Sequence, residues 1–182
     1  MNPTDELKKL TSLFPGGAEL FKQAEHVPSA LTPEPYKRLL VHEHHMTVTM
    51  EEFHRSQVLV RVLERQLDGD IYSRKILLAR SDNGRVVQFG LVRFDLGVVL
   101  PEVRAEILSE KTPLGRILIN YNVLRHIDLG AILQFTVGPG LARLFDCQTG
   151  TTTYGRLATI FCNRKPAVDL LEVAAPTGEP GV

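Results

Sequence analysis

Three groups of residues have types and spacing that could do chemistry. The densest is the run His42-Glu43-His44-His45. On a helix, His42 and His45 are three apart and share a face. A catalytic zinc site needs three converging protein ligands. No second cluster answers this one, and His54 and His126 stand alone. The run reads as a solvated helix end, where imidazolium is favourable beside the last carbonyls. No metal site is expected.

Arg74 opens the apolar stretch Ile76-Leu77-Leu78. In a buried strand its guanidinium could fork onto a carboxylate; the plainer reading is an outward-facing strand arginine. Glu172 shares strand parity with Val168 and Leu170, so if those two face the core it does too. A carboxyl in an apolar pocket tends to stay protonated near neutrality and could donate a proton. The competing reading makes Asp169 and Glu172 edge-strand charges. Phosphate-loop and dinucleotide fingerprints are absent, since Gly138-Pro139-Gly140 fits neither. The serines lack a nucleophile-elbow context, and neither cysteine adjoins a histidine.

These groups sit in an ordinary globular composition. Of 182 residues, 43% are hydrophobic and 23% charged, and 21 basic residues balance 21 acidic ones. A chain of this length is expected to fold as one domain. Zero net charge argues against a general nucleic-acid or membrane-surface binder, but leaves room for a local basic pocket. Cys147 and Cys162 read as reduced thiols of a cytoplasmic protein. No stretch approaches the ~20 apolar residues of a membrane span, and the N-terminus has no apolar signal region.

Residues 1–30 are expected to form a loosely packed arm with short helices at Thr4 to Phe14 (Thr4 as N-cap) and Ala18 to Ala24. One helix is predicted from Tyr36 to about Met46, opened by Pro35. From Gln57 the pattern alternates, and Ser81-Asp82-Asn83-Gly84 is a hairpin turn. Strands joined by such short turns are antiparallel. A helix follows at Leu100 to Leu108, then another with Thr112 as N-cap and Pro113 at its first position. Strands are predicted over Leu124 to Val137 with a bulge at Gly130, Tyr154 to Cys162, and Ala167 to Val173. The fold class is α+β: about six mostly antiparallel strands with helices on one face. A ligand could lie between sheet and helices. The domain spans 31–176, and 177–182 is a tail.

The segment Lys111-Thr112-Pro113-Leu114-Gly115-Arg116 resembles the Lys-Thr-Pro-Leu-Gly-Arg segment of the chorismate pyruvate-lyase family. Landmarks in order support the likeness: His45-Met46-Thr47 where the family has Ser-Met-Thr, Arg74 in a strand like the family's Arg-Glu-Ile/Val-x-Leu, and Lys165-Pro166 before the strand of Glu172. The likeness covers about residues 30–176 and is nearer the broader bacterial and archaeal branch than the ubiquinone enzymes. It implies a six-stranded antiparallel sheet with two helical flaps over a buried ligand. It also implies elimination of pyruvate from chorismate to give 4-hydroxybenzoate, without metal or redox cofactor. By the same likeness Arg74 would hold the ring carboxylate. Met46 and Leu114 would supply backbone N–H groups and lid surface, and Glu172, as acid, would assist C–O cleavage. Arg156 is the candidate for the second carboxylate of chorismate. The run from Pro166 to Glu172 is one residue longer than in the ubiquinone branch. Glu172 therefore points inward only if the turn absorbs the extra residue, and Asp169 is the fallback.

A different class of function remains open: a non-catalytic, aromatic-acid-binding protein of the same fold. That fold also serves as the effector module of transcription regulators. Those carry a winged-helix domain ahead of it, whereas fewer than about 40 residues precede the clear fold here, without a basic recognition helix. A related lyase giving another hydroxybenzoate is a third reading. The assembly is expected to be a monomer or homodimer, with no nucleic-acid partner.

Overall fold

The computed structural model describes residues 2–177. They form α1 (Pro3–Thr11), β1 (Phe21–Val27), α2 (Tyr36–Leu40), α3 (Met46–His54), β2 (Val58–Asp68), β3 (Ile71–Arg80), β4 (Val86–Asp95), α4 (Pro101–Ser109), α5 (Leu114–Asn120), β5 (Arg125–Val137), α6 (Pro139–Phe145), β6 (Thr152–Cys162) and β7 (Lys165–Ala174). The strands make one antiparallel sheet in the order β1-β5-β6-β7-β4-β3-β2. The α+β class holds, with a seventh strand added.

That strand is β1, and the helix expected over Ala18 to Ala24 does not form. Lys22, Gln23, Ala24 and Glu25 favour helix locally, yet β1 pairs with the edge of β5 from Phe21 to Val27. It is exposed along most of its length, so it carries no period-2 apolar signature. The N-terminal segment is also packed rather than loose. Leu10, Phe14 and Leu20 are buried with Phe89, Leu91, Phe135, Leu157 and Leu171, and each such burial contributes about 1.5–3 kcal/mol. The cap of α1 is Asn2, whose side chain accepts from the Thr4 N–H.

Helices cover both faces of the sheet. Alternate strand residues feed opposite cores. On one side α1 and α6 close over Leu77, Phe89, Phe135 and Val173. On the other, α2 and α3 pack on Val58, Ile76 and Leu78, while α4 and α5 pack on Tyr72, Phe94, Ile160 and Leu170. The second side does not close completely, and the site lies between its two helix pairs.

The single helix predicted from Tyr36 to Met46 is two. α2 stops at Leu40, residues 41–45 are irregular, and α3 begins at Met46. The break has a cause: the carbonyls of His42 and His44, which a continuing helix would use, accept from the guanidinium of Arg156. The N-cap of α5 is Pro113 rather than Thr112; the Thr112 hydroxyl donates instead to the Glu106 carboxylate. The bulge at Gly130 is present, as β5 shifts register against β6 between Leu129 and Ala131. Of the tail expected over 177–182, residues 178–182 lie outside the described residues; the Thr177 N–H donates to the Tyr36 hydroxyl.

Candidate functional site

A cavity of about 40 Å³ lies between the sheet and the starts of α3 and α5. Its floor is sheet: Arg74, Ile76 and Leu78 of β3, Gln88, Gly90 and Val92 of β4, Leu170 and Glu172 of β7, and Arg156 of β6. Its roof is His45-Met46-Thr47 and Pro113-Leu114-Gly115. The five residues singled out from sequence, Met46, Arg74, Leu114, Arg156 and Glu172, therefore line one space.

The roof depends on close approach. A Cβ on Gly115 would sit 2.9 Å from His45 Cβ and 3.0 Å from Thr47 Oγ1, so glycine lets α5 abut α3. An ion pair between Arg116 and Glu51 ties the same two helices. Glu51 also accepts from the Val58 N–H at 3.2 Å, fixing α3 to the sheet. The first amides of α3, at Met46 and Thr47, have no intrahelical carbonyl to bond.

Glu172 faces the cavity because the extra residue is absorbed. β6 and β7 shift register where Ile160 pairs Val168 and Phe161 pairs Pro166, leaving Ala167 as the bulge. Asp169 lies on the opposite face, 3.4 Å from Lys9 and 3.8 Å from Arg93. The fallback role for Asp169 is thereby removed.

The two arginines differ. Arg156 is 1% exposed and fully engaged. Its Nε donates to Glu172 Oε2 at 2.7 Å, Nη1 to the His42 carbonyl at 2.9 Å and Nη2 to the His44 carbonyl at 3.0 Å. Arg74 is 2% exposed. It forms no salt bridge with any described residue, and its buried Nη1 has no hydrogen-bond partner. Burial pushes it below an arginine's ordinary pKa, with Tyr72 and Glu110 pulling the other way; it remains a cation. A buried guanidinium N–H without an acceptor is costly. One charge in the cavity is thus matched internally and one is left over.

The histidine run is no solvated helix end. His42 Nε2 meets the Leu39 carbonyl at 2.7 Å, and its Nδ1 accepts from the His44 N–H at 3.1 Å. That assigns a neutral ring protonated at Nε2. Burial, then Arg156, pushes the His42 pKa down to about 4. His45 is buried and accepts at Nε2 from Arg125 Nε at 2.6 Å. Burial, then Arg125, lowers it to about 4 as well. No group of three or more His, Cys, Asp or Glu among the described residues could hold a metal ion.

Sequence reasoning missed Gln88, Gly90 and the buried role of His45. Gln88 is 2% exposed and its Oε1 has no partner. The available signal was one amide interrupting the apolar stretch Val86 to Leu91. Cys147 and Cys162 are free thiols.

The fold is of the α+β class and consistent with that of chorismate lyase. No protein-family model and no curated protein matches the chain. Among solved structures it is similar to PhnF from Mycobacterium smegmatis, at TM-score 0.53 and 10% identity over 76% of this chain and 66% of that one. The effector domain of the same PhnF matches at TM-score 0.52 and 10% identity, over 72% and 88% of the two chains. The ligand-binding domain of a GntR-family transcriptional regulator from Bordetella bronchiseptica matches at TM-score 0.50 and 12% identity, over 64% and 85%.

The expectation of a carbon–oxygen lyase is corrected by these neighbours, which are the ligand-binding or effector domains of regulators. Chorismate carries two carboxylates, and the guanidinium expected to meet the second, Arg156, is spent on Glu172 and the 42–45 segment. Glu172 Oε2 accepts from that guanidinium at 2.7 Å. No helix among the described residues is long and apolar enough to cross a membrane.

Proposed function

We propose that the protein is a non-catalytic binding module for a small, planar monoanionic acid, held in the cavity between α3, α5 and the sheet. The observation that carries this is Arg74 Nη1, buried, cationic and without an acceptor in the cavity floor. A carboxylate placed there gains a charge-assisted hydrogen bond in a cavity that is also lined by Met46 and Thr47 at the start of α3, where the helix dipole favours an anion. Ile76, Leu78, Val92, Ile127, Ile160 and Leu170 supply apolar walls for the rest of the ligand.

Charge selects the ligand class. Arg156 and Glu172 cancel, and Arg74 leaves one positive charge in the cavity. A monoanion neutralises it; a dianion leaves a buried charge unpaired, which costs several kcal/mol. The likeness to ligand-binding domains of regulators supports a protein that reports ligand occupancy. The test is thermal denaturation with benzoate, cyclohexanecarboxylate, phthalate and chorismate. Saturable stabilisation by benzoate, little by the dianions, and no pyruvate from chorismate is the expected result. Stabilisation by the dianions alone contradicts the proposal.

A further inference from the structure

Two buried polar atoms in the described structure lack partners, Arg74 Nη1 and Gln88 Oε1, and both residues line this same cavity. One is a donor and the other an acceptor. Arg74 stands opposite Val92 in the β3–β4 ladder, and Gln88 lies four residues from Val92 on β4. The two backbones are therefore about 13 Å apart along the sheet, with the side chains occupying part of that interval. Between them the floor is apolar, with the Ile76 side chain lying over Gly90. Gly90 is on the same face, and a Cβ there would come within 3.1 Å of Ile76 Cγ1 and 3.2 Å of its Cδ1.

We infer that Gln88 is the specificity-determining residue of the site, accepting a hydrogen bond from an uncharged hydroxyl or amino group at the end of the ligand remote from its carboxylate. The inference rests on the binding reading above and sharpens it to planar acids with a distal donor. A buried amide oxygen left dry in the unliganded protein destabilises it, and a ligand donor removes that penalty. A methyl group of the same size fills the same space and leaves the oxygen dry. Sites built around a polar contact discriminate in this way against isosteres that lack it. Glu172 Oε2 is held by Arg156, and Gln88 Oε1 is the acceptor left buried without a partner among the described residues.

The test is calorimetric titration with two isosteric pairs of different reach: para-aminobenzoate against para-methylbenzoate, and para-aminophenylacetate against para-methylphenylacetate. The wild-type protein binds the amino member of at least one pair about tenfold more tightly than its methyl isostere. In Gln88→Met, of nearly equal volume, that preference disappears while the methyl compound binds at least as well. The unliganded variant also melts no lower than wild type, because its dry acceptor is gone. In Arg74→Leu both members of the pair are lost. Binding of all four acids without discrimination, or a preference that survives Gln88→Met, overturns the role of Gln88 and leaves the binding module standing. Failure of all four to bind overturns both.

Discussion

Arg74 and Arg156 are buried to the same extent, on the same face of the same sheet, and on the wall of the same cavity. Around Arg156 every direction is answered: a carboxylate on the neighbouring strand and two carbonyls from the segment that breaks α2 from α3. Around Arg74, Nη1 has no acceptor, and the groups that favour its charge are Tyr72 and Glu110. A buried charge that is matched holds structure together, whereas one left unmatched is a demand for a ligand. The cost of the second is tolerable only where binding removes it.

The sharpest way to break this contrast is to remove each guanidinium. Arg156→Leu leaves the Glu172 carboxylate and two carbonyls without their donor, so it should cost about 3–5 kcal/mol, read as a lower midpoint in urea denaturation. Arg74→Leu removes an unpaired buried charge. It should leave stability unchanged or raise it by about 1 kcal/mol, while abolishing binding of small acids. Comparable destabilisation by the two would show that Arg74 is also structural.

Gly115→Ala probes the roof between them. The added methyl meets His45 Cβ at 2.9 Å, where both partners are anchored, and overpacking of this kind costs about 1–3 kcal/mol. Melting temperature and acid affinity should fall together, because α3 and α5 are pushed apart over Arg74.

Acid perturbs the neighbourhood of Arg156 without a substitution. His42 and His45 are held near pKa 4 by burial beside arginines, against about 6.5 in the unfolded chain. Above pH 6.5 both states are neutral at these rings and nothing changes. Between 6.5 and about 4 the unfolded chain takes up protons that the folded chain excludes, so stability falls on acidification. The slope approaches about 1.4 kcal/mol per pH unit for each ring. Below about 4 the folded form is protonated too and the loss levels off. Denaturation midpoints at pH 7, 6 and 5 read this, and His42→Gln should flatten the curve. A profile flat from pH 7 to 5 in wild type would contradict the neutral, buried assignment.

Much of the sheet was legible because its signals are local: the Asn83-Gly84 turn, the alternation of β2, and glycine at the β5 bulge. What was illegible depends on distant partners. β1 has helix-favouring residues and becomes a strand only by pairing with β5. The Tyr36 to Met46 helix is interrupted by an arginine more than a hundred residues away. Glu172 was placed on the right face only conditionally, since parity could not show where β7 absorbs its extra residue. The set Met46, Arg74, Leu114, Arg156 and Glu172 came from a resemblance, and all five line the cavity. Their division into matched and unmatched groups could not be read from sequence, because hydrogen-bond satisfaction belongs to the folded neighbourhood and not to residue type. That division is the ground for proposing a binding site in place of the expected lyase.

Arg74 is assigned here to ligand recognition and Arg156 to structure. Arginine side-chain N–H resonances in nitrogen-15-labelled protein test this directly, with the Arg74 signal assigned by its absence in Arg74→Leu. On adding benzoate that signal should shift in a saturable way, while the other buried arginine signal stays in place. A static Arg74 signal at saturating benzoate, or a shift confined to other arginines, would contradict the account.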